Sequence, residues 1–253
     1  MRKVTKFILV PVLVVSALLL AMSAVRAAPI AFNDDVNQWT SSFGNMPGTD
    51  VYGTPDVLGG FADVNAGILT SVTINLKSVS PYWSLLEPGS LFIDAQADGV
   101  WDYLVDTAAD AINGSDRAGD YDLYKISQPI YSDPNNQYRY SYVLQNASYR
   151  TGAPVSMTDD YLKTISSNDK GKAHFSGWPT EVAQGDLTSI TYSQFSFNIA
   201  LGDSFTIGWA PTCANDVLLA NVNPVPEPAT MLLLGTGLIG LAGFGRRKLL
   251  KKA

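Results

Sequence analysis

The chain has 253 residues, enough for one domain with accessory segments, and its 17 Lys and Arg are outnumbered by 23 Asp and Glu. Nine of the basic residues lie in the two ends, at Arg2, Lys3, Lys6, Arg26, Arg246, Arg247, Lys248, Lys251 and Lys252, whereas every acid falls between Asp34 and Glu227. The span between the ends therefore carries 8 basic against 23 acidic groups, a net charge of −15, which excludes a phosphate-tracking nucleic-acid binder and suits a solvated or cation-gathering exported protein. Twenty of the acids are Asp, the carboxylate that favours turns over helices.

Residues 1–27 read as an export signal. Arg2, Lys3 and Lys6 form a basic start, Phe7 to Ala24 is an almost unbroken apolar run, and Val25 and Ala27 supply the small side chains wanted before a cut after Ala27. An uncleaved signal anchor is the alternative, because the apolar run is long.

Residues 28–222 read as one extracytoplasmic domain made mostly of strands. Val72, Ile74 and Leu76 alternate within Thr70–Leu76, Phe205, Ile207 and Trp209 alternate within Asp203–Ala210, and "LTSITYSQFSFNIAL" interleaves aromatic residues with Ser, Thr and Asn. Period-two patterning of β-branched and aromatic residues, broken by Gly, Pro, Asn and Asp, is the signature of strands. One short helix is expected at Thr158–Ser166, with Thr158 as its cap and Asp159 and Asp160 in the first turn. Without βαβ alternation or a repeat, the expected fold class is all-β: an antiparallel two-sheet sandwich of jelly-roll type. Cys213 is the only cysteine, so no intramolecular disulfide forms, and the domain relies on its own core or on metal ions. Cys213 itself reads as a small buried hydrophobe, with pairing between chains as the alternative.

Three constellations within the domain bear on chemistry. In "DAQADGVWDYLVD", Asp94, Gln96, Asp98 and Gly99 partly follow the start of a calcium loop, and Asp102 falls at its ninth position. Gln96 departs from that pattern, as does Val105 where a bidentate Glu belongs. The competing and favoured reading is a hairpin turning at Asp98-Gly99, with Trp101, Tyr103 and Val105 facing the core and Asp102 and Asp106 facing water. Downstream, Asp110, Asp116, Asp120 and Asp122 read as a solvated polar loop, with ligands for a cation site beside the hairpin as the alternative. Tyr138, Tyr140 and Tyr142 share one strand face, either as a row stacking on sugar rings or, as favoured, as the inward face of the sheet. Catalysis has little support: His174 is the only histidine, in what reads as a loop, and any histidine-based triad must pass through it. A single histidine rules out multi-histidine zinc sites, no phosphate-binding loop is present, and a two-carboxylate glycan hydrolase rests only on the abundance of acids.

"NVNPVPEP" then forms a spacer at residues 223–228, since alternating prolines disfavour both helix and sheet. Residues 229–245 are uncharged and mostly apolar, at the lower limit for a membrane-crossing helix, and the basic residues of 246–253 predict a cytoplasmic tail. Five glycines, at 235, 237, 240, 243 and 245, make that span a weak helix former and suit transient insertion better than permanent anchoring.

Pro226-Glu227-Pro228, the apolar span, and the cluster holding Arg246 and Arg247 resemble the PEP-CTERM sorting signal of Gram-negative bacteria. "FTIGWAPTCANDVLLA", "YGTPDVLGG" and "LFIDAQADGVWDYLV" are more loosely similar to the β-rich exported domains of such proteins. The resemblance implies passage through the Sec translocon and signal peptidase, and transient residence in the inner membrane. It further implies processing by exosortase near Pro226–Pro228 and delivery to the cell surface or an extracellular matrix. The expected function is that of a non-enzymatic surface or matrix protein. The first alternative is a Ca²⁺-assisted module binding exopolysaccharide, and the second is a glycan-active hydrolase.

Overall fold

The computed structural model describes residues 28–34, 55–79, 87–107, 118–130, 132–140, 154–179, 182–212 and 216–223, together with Gly235, Gly237 and Leu238. The export signal at 1–27, the Pro-Glu-Pro element and the basic tail lie outside the described residues, as does most of the span at 229–245. Gly235, Gly237 and Leu238 are helical, and among the described residues no helix is long and apolar enough to cross a membrane.

The domain is all-β and antiparallel. Its strands begin with β1 (Ile30–Phe32), β2 (Asp56–Asn65), β3 (Ile68–Lys77), β4 (Leu91–Asp94), β5 (Val100–Asp106) and β6 (Gly119–Pro129). A short pair, β7 (Tyr138–Tyr140) and β8 (Pro154–Met157), leads into helix α1 (Asp159–Thr164). There follow β9 (Lys170–Ser176), β10 (Leu187–Ser193), β11 (Ile199–Ala200), β12 (Phe205–Trp209) and β13 (Leu218–Val222). Where the sequence predicts two stacked sheets, hydrogen bonding draws one continuous sheet in the order β1-β2-β3-β10-β9-β6-β5-β4-β12-β13, with β11 beside β3. That sheet curls until its first and last strands, β1 and β13, lie against each other, so the wall is nearly a barrel.

Curling gives the wall an inside and an outside, and the two are filled differently. Val72, Ile74 and Leu76 of β3 point inward as their alternation predicts, and they join Phe175, Tyr192, Phe205, Ile207 and Trp209 in one enclosed core. A second apolar cluster lies outside the wall, where β7, β8 and α1 cover β4, β5, β12 and β13 through Phe92, Trp101, Leu104, Tyr138, Val155 and Leu162. Strands covered on both faces lose the alternation of a half-exposed sheet, and every residue of β4 and β12 is buried. Helix α1 forms where predicted: the Thr158 side chain accepts from the Tyr161 amide, and Asp159 and Asp160 occupy the first turn.

β5 corrects the sequence reading in two respects, at Trp101 and at Asp106. Its pairing with β6 shifts register between Trp101 and Tyr103, the mark of a β-bulge. Across this shift Trp101 packs in the outer cluster with Leu104, while Tyr103 and Val105 face the enclosed core. Asp106, expected in water, is buried under β8 and accepts from the Ser90 and Ser156 hydroxyls at 2.9 and 2.6 Å.

Inside the wall, the Gly89 carbonyl collects three donors. Tyr192 Oη donates to it at 2.9 Å, Trp209 Nε1 at 3.1 Å, and Thr107 Oγ1 also donates. Trp209 Nε1 lies 2.9 Å from Tyr192 Oη as well, so the node ties β10, β12 and the end of β5 to the segment preceding β4. Burial is the main reason the Tyr192 phenol holds its proton far above the pH at which a tyrosine ordinarily loses it, and the hydrogen bonds with Thr107 and Trp209 oppose that shift. No side chain can replace Gly89, because an added Cβ would lie 1.5 Å from the Ala210 carbonyl oxygen. Tyr192→Phe is expected to cost about 1–2 kcal/mol and to lower Tm by roughly 3–6 °C in thermal unfolding; an unchanged Tm would deny the node a stabilising role.

Candidate functional site

The hairpin predicted at Asp98-Gly99 forms, with β4 and β5 paired through Leu91–Val105, Phe92–Leu104 and Ile93–Tyr103. Its turn spans the five residues Ala95–Gly99, with Ala97 at φ 51° and Gly99 at φ 87°. Buried Asp94 organises it: Oδ1 accepts from the amides of Gln96 and Asp98 at 3.2 and 3.3 Å, and Oδ2 from Gly99 at 2.9 Å. Asp98 Oδ1 accepts from its near neighbour Val100, and Asp102 Oδ2 receives the Ala95 amide at 2.8 Å. Gln96 turns away, its Nε2 donating to the Ala200 carbonyl. Asp102 lies above the ordinary aspartate range, first because burial disfavours its charge and then because Asp94 and Asp98 repel it; the Ala95 amide works the other way.

These oxygens therefore face backbone amides, where a calcium loop would aim them at a shared point. Among the described residues, no group of three or more His, Cys, Asp or Glu is arranged to hold a metal ion. In this arrangement the Asp94, Asp98 and Asp102 carboxylates serve as caps for the amides of the turn.

Tyr138 packs in the outer cluster, edge-on to Phe92 with ring centroids 6.1 Å apart, and its Oη donates to the Pro129 carbonyl at 2.8 Å. At 4% exposure it has no face to offer a sugar. The Tyr140 side chain and Tyr142 lie outside the described residues. The intervening Arg139 reaches the carboxylate of Asp159 at the start of α1.

Across the uncovered wall of β2, β3, β10, β9 and β6, the structure assembles a polar surface that sequence reading missed. Asp63 faces Ser71, Ser71 faces Ser193, Ser193 faces His174, and His174 faces Asp120, each on the neighbouring strand. Ser71 donates to Asp63 at 2.6 Å, and His174 Nδ1 pairs with Asp120 at 3.0 Å. Parallel to that row, Thr73 and Thr191 join hydroxyls at 3.0 Å beside Phe61, and Ser189 donates to Asn75 at 2.9 Å. His174 and Asp120 thus belong to strands β9 and β6, where the sequence predicted loops. Asp122 also lies on β6 and pairs with Lys172 at 2.7 Å; Asp110 and Asp116 lie outside the described residues. Asp120, His174 and Ser193 stand in catalytic order, yet the His174 and Asp120 side chains are 35% and 70% exposed. Water has free access to such a row, and the preorganised dry site that makes a triad effective is not formed there. The signal for this surface was the Ser and Thr alternating with apolar residues in β3 and β10; its assembly from five strands needed the sheet order.

If Asp94 is a turn-capping group, Asp94→Ala should lower stability by about 2–3 kcal/mol in denaturant unfolding, with or without calcium. Millimolar Ca²⁺ should leave the Tm of the unaltered protein in place. A Ca²⁺-dependent rise in Tm that Asp94→Ala abolishes would overturn this assignment.

The wall ends at Val222, and the sorting segment follows directly. Residues 224–248 match the PEP-CTERM protein-sorting motif, a stretch of about a tenth of the chain. No curated protein and no solved structure matches the chain. The matched stretch holds Pro226-Glu227-Pro228, the apolar span and Arg246-Arg247 in order, and on it the chain is a PEP-CTERM protein, bearing the signal that exosortase substrates carry.

Proposed function

We propose that the protein is a non-enzymatic component of the cell surface or extracellular matrix, delivered as a folded β-domain and released from its sorting tail by exosortase. The observation that carries this reading is the sorting motif at residues 224–248, placed immediately after the last strand. The acidic domain, net −15 between the basic ends, supports a solvated extracellular life and adds no competing chemistry. Intact-mass analysis of the protein from its native host tests the proposal. The expected mature chain begins at Ala28 and ends near Pro226–Pro228; a mature species ending at Ala253 would overturn it.

A glycan-binding role is the second reading, favoured by a surface other than the tyrosine row. Phe61 is 44% exposed on β2, directly opposite Thr73, whose hydroxyl is joined to that of Thr191. An aromatic face for sugar C–H groups beside a row of hydroxyl and amide groups is the composition that neutral polysaccharide recognition uses. On this reading Phe61→Ala weakens retention in affinity electrophoresis through the host's exopolysaccharide by about tenfold, the loss of one well-placed contact of roughly 1.4 kcal/mol. Equal retention of the two proteins would remove it.

A further inference from the structure

The two ends of the described domain leave from the same end of the barrel. The Val57 amide at the start of β2 donates to buried Asp216, which leads into β13, so β2 and β13 begin side by side. β1 runs antiparallel to β2, with Ile30 opposite Ala62 and Phe32 opposite Gly60, so β1 begins where β2 and β13 finish. The sheet order gives the same answer independently: successive antiparallel pairings from β1 to β13 leave those two strands opposed in direction, and they lie against each other. Ala28, two residues before β1, and Asn223, one residue after β13, therefore share one pole.

Each of these ends continues into an apolar run, Phe7 to Ala24 before the domain and residues 229–245 after it. Residues 223–228 between Val222 and the second run reach at most about 20 Å when extended. We infer that this pole faces the lipid bilayer, with the barrel standing on the membrane and its opposite pole directed away. The inference rests on the sorting-tail reading and adds an orientation to it.

The facing pole includes the β2–β3 turn at Ala66-Gly67 and the segment Leu201-Gly202, joined by the Leu201 amide to the Gly67 carbonyl at 2.8 Å. Gly202 in turn donates to the Ala95 carbonyl at 2.8 Å, which brings the Asp94–Gly99 turn, with its exposed Asp98 side chain, to this pole. The short tether holds this pole to the bilayer, and the exposed Asp98 carboxylate keeps its turn at the headgroup surface without entering it. The opposite pole carries the β9–β10 connection at Ala183–Asp186, beside the end of β3 and the start of β2.

Energy transfer to labelled lipid tests the orientation. Ala66→Cys and Ala183→Cys, each in the full chain with Cys213→Ser, are labelled with a donor dye. They are then reconstituted into phosphatidylethanolamine–phosphatidylglycerol vesicles carrying a headgroup acceptor. The poles are separated by roughly the 33 Å length of a ten-residue strand, so transfer from position 66 is expected to exceed that from position 183 by about twofold or more. Equal or reversed transfer from vesicle-bound protein would overturn the orientation and leave the sorting tail intact. Failure of the full chain to float with the vesicles would instead sink the tail reading, and the orientation with it.

Discussion

A single carbonyl oxygen holds the interior of this barrel together. Gly89 brings its backbone against Ala210 so closely that no side chain fits, and its oxygen meets hydroxyls from Thr107 and Tyr192 and the indole of Trp209. Polar groups buried in an apolar core are costly unless satisfied, and here each satisfies another. The wall can therefore close around two large polar aromatics without leaving either unpaired. Because the donors come from separate strands, the node also fixes how far the strands slide past one another. The enclosed core, the outer cluster and the polar face all follow from that stagger.

The parts of the fold legible in the sequence were those governed by one strand or one turn. Val72, Ile74 and Leu76 announce an inward face by themselves, and Thr158 followed by two aspartates announces a helix start. The turn at Asp98-Gly99 was equally local. What sequence reasoning missed depends on which strands become neighbours. Asp106 looked exposed because nothing near it in sequence reveals that β8 will cover it. Trp101 changed faces because a bulge beside it shifts the alternation, and that bulge is a property of the pairing with β6. Two sheets were expected from strand patterning without βαβ alternation or a repeat; a continuous ladder is set by long-range pairing, which pattern alone does not encode.

The same distinction separates the candidate sites. An acidic motif spaced like a cation loop has its oxygens turned onto the amides of its own tight turn, because a short buried Asp satisfies such amides at no cost in chain length. A tyrosine row shaped like a sugar platform places at least Tyr138 in the seam between wall and cover. The sorting signal, in contrast, is a linear feature read as sequence, and it was fully legible. The polar wall of Ser, Thr, Asn, His and Asp was visible only in fragments until five strands were set in order.

The meeting of β1 with β13 has a consequence for the timing of folding. These are the first and last strands of the domain, so the sheet's final closure joins residues separated by nearly its whole length. During export from the N-terminal end, β1 crosses early, and the strand it finally lies against, β13, arrives last. Phe32, seated against Gly60 of β2, fills part of that interval, because a hairpin-like β1–β2 unit can form before the rest. Long-range closure of this kind makes folding slow relative to local pairing. A sorting segment placed directly after β13 emerges only behind the last strand, so in the chain's order of emergence the processing signal follows the final piece of the fold.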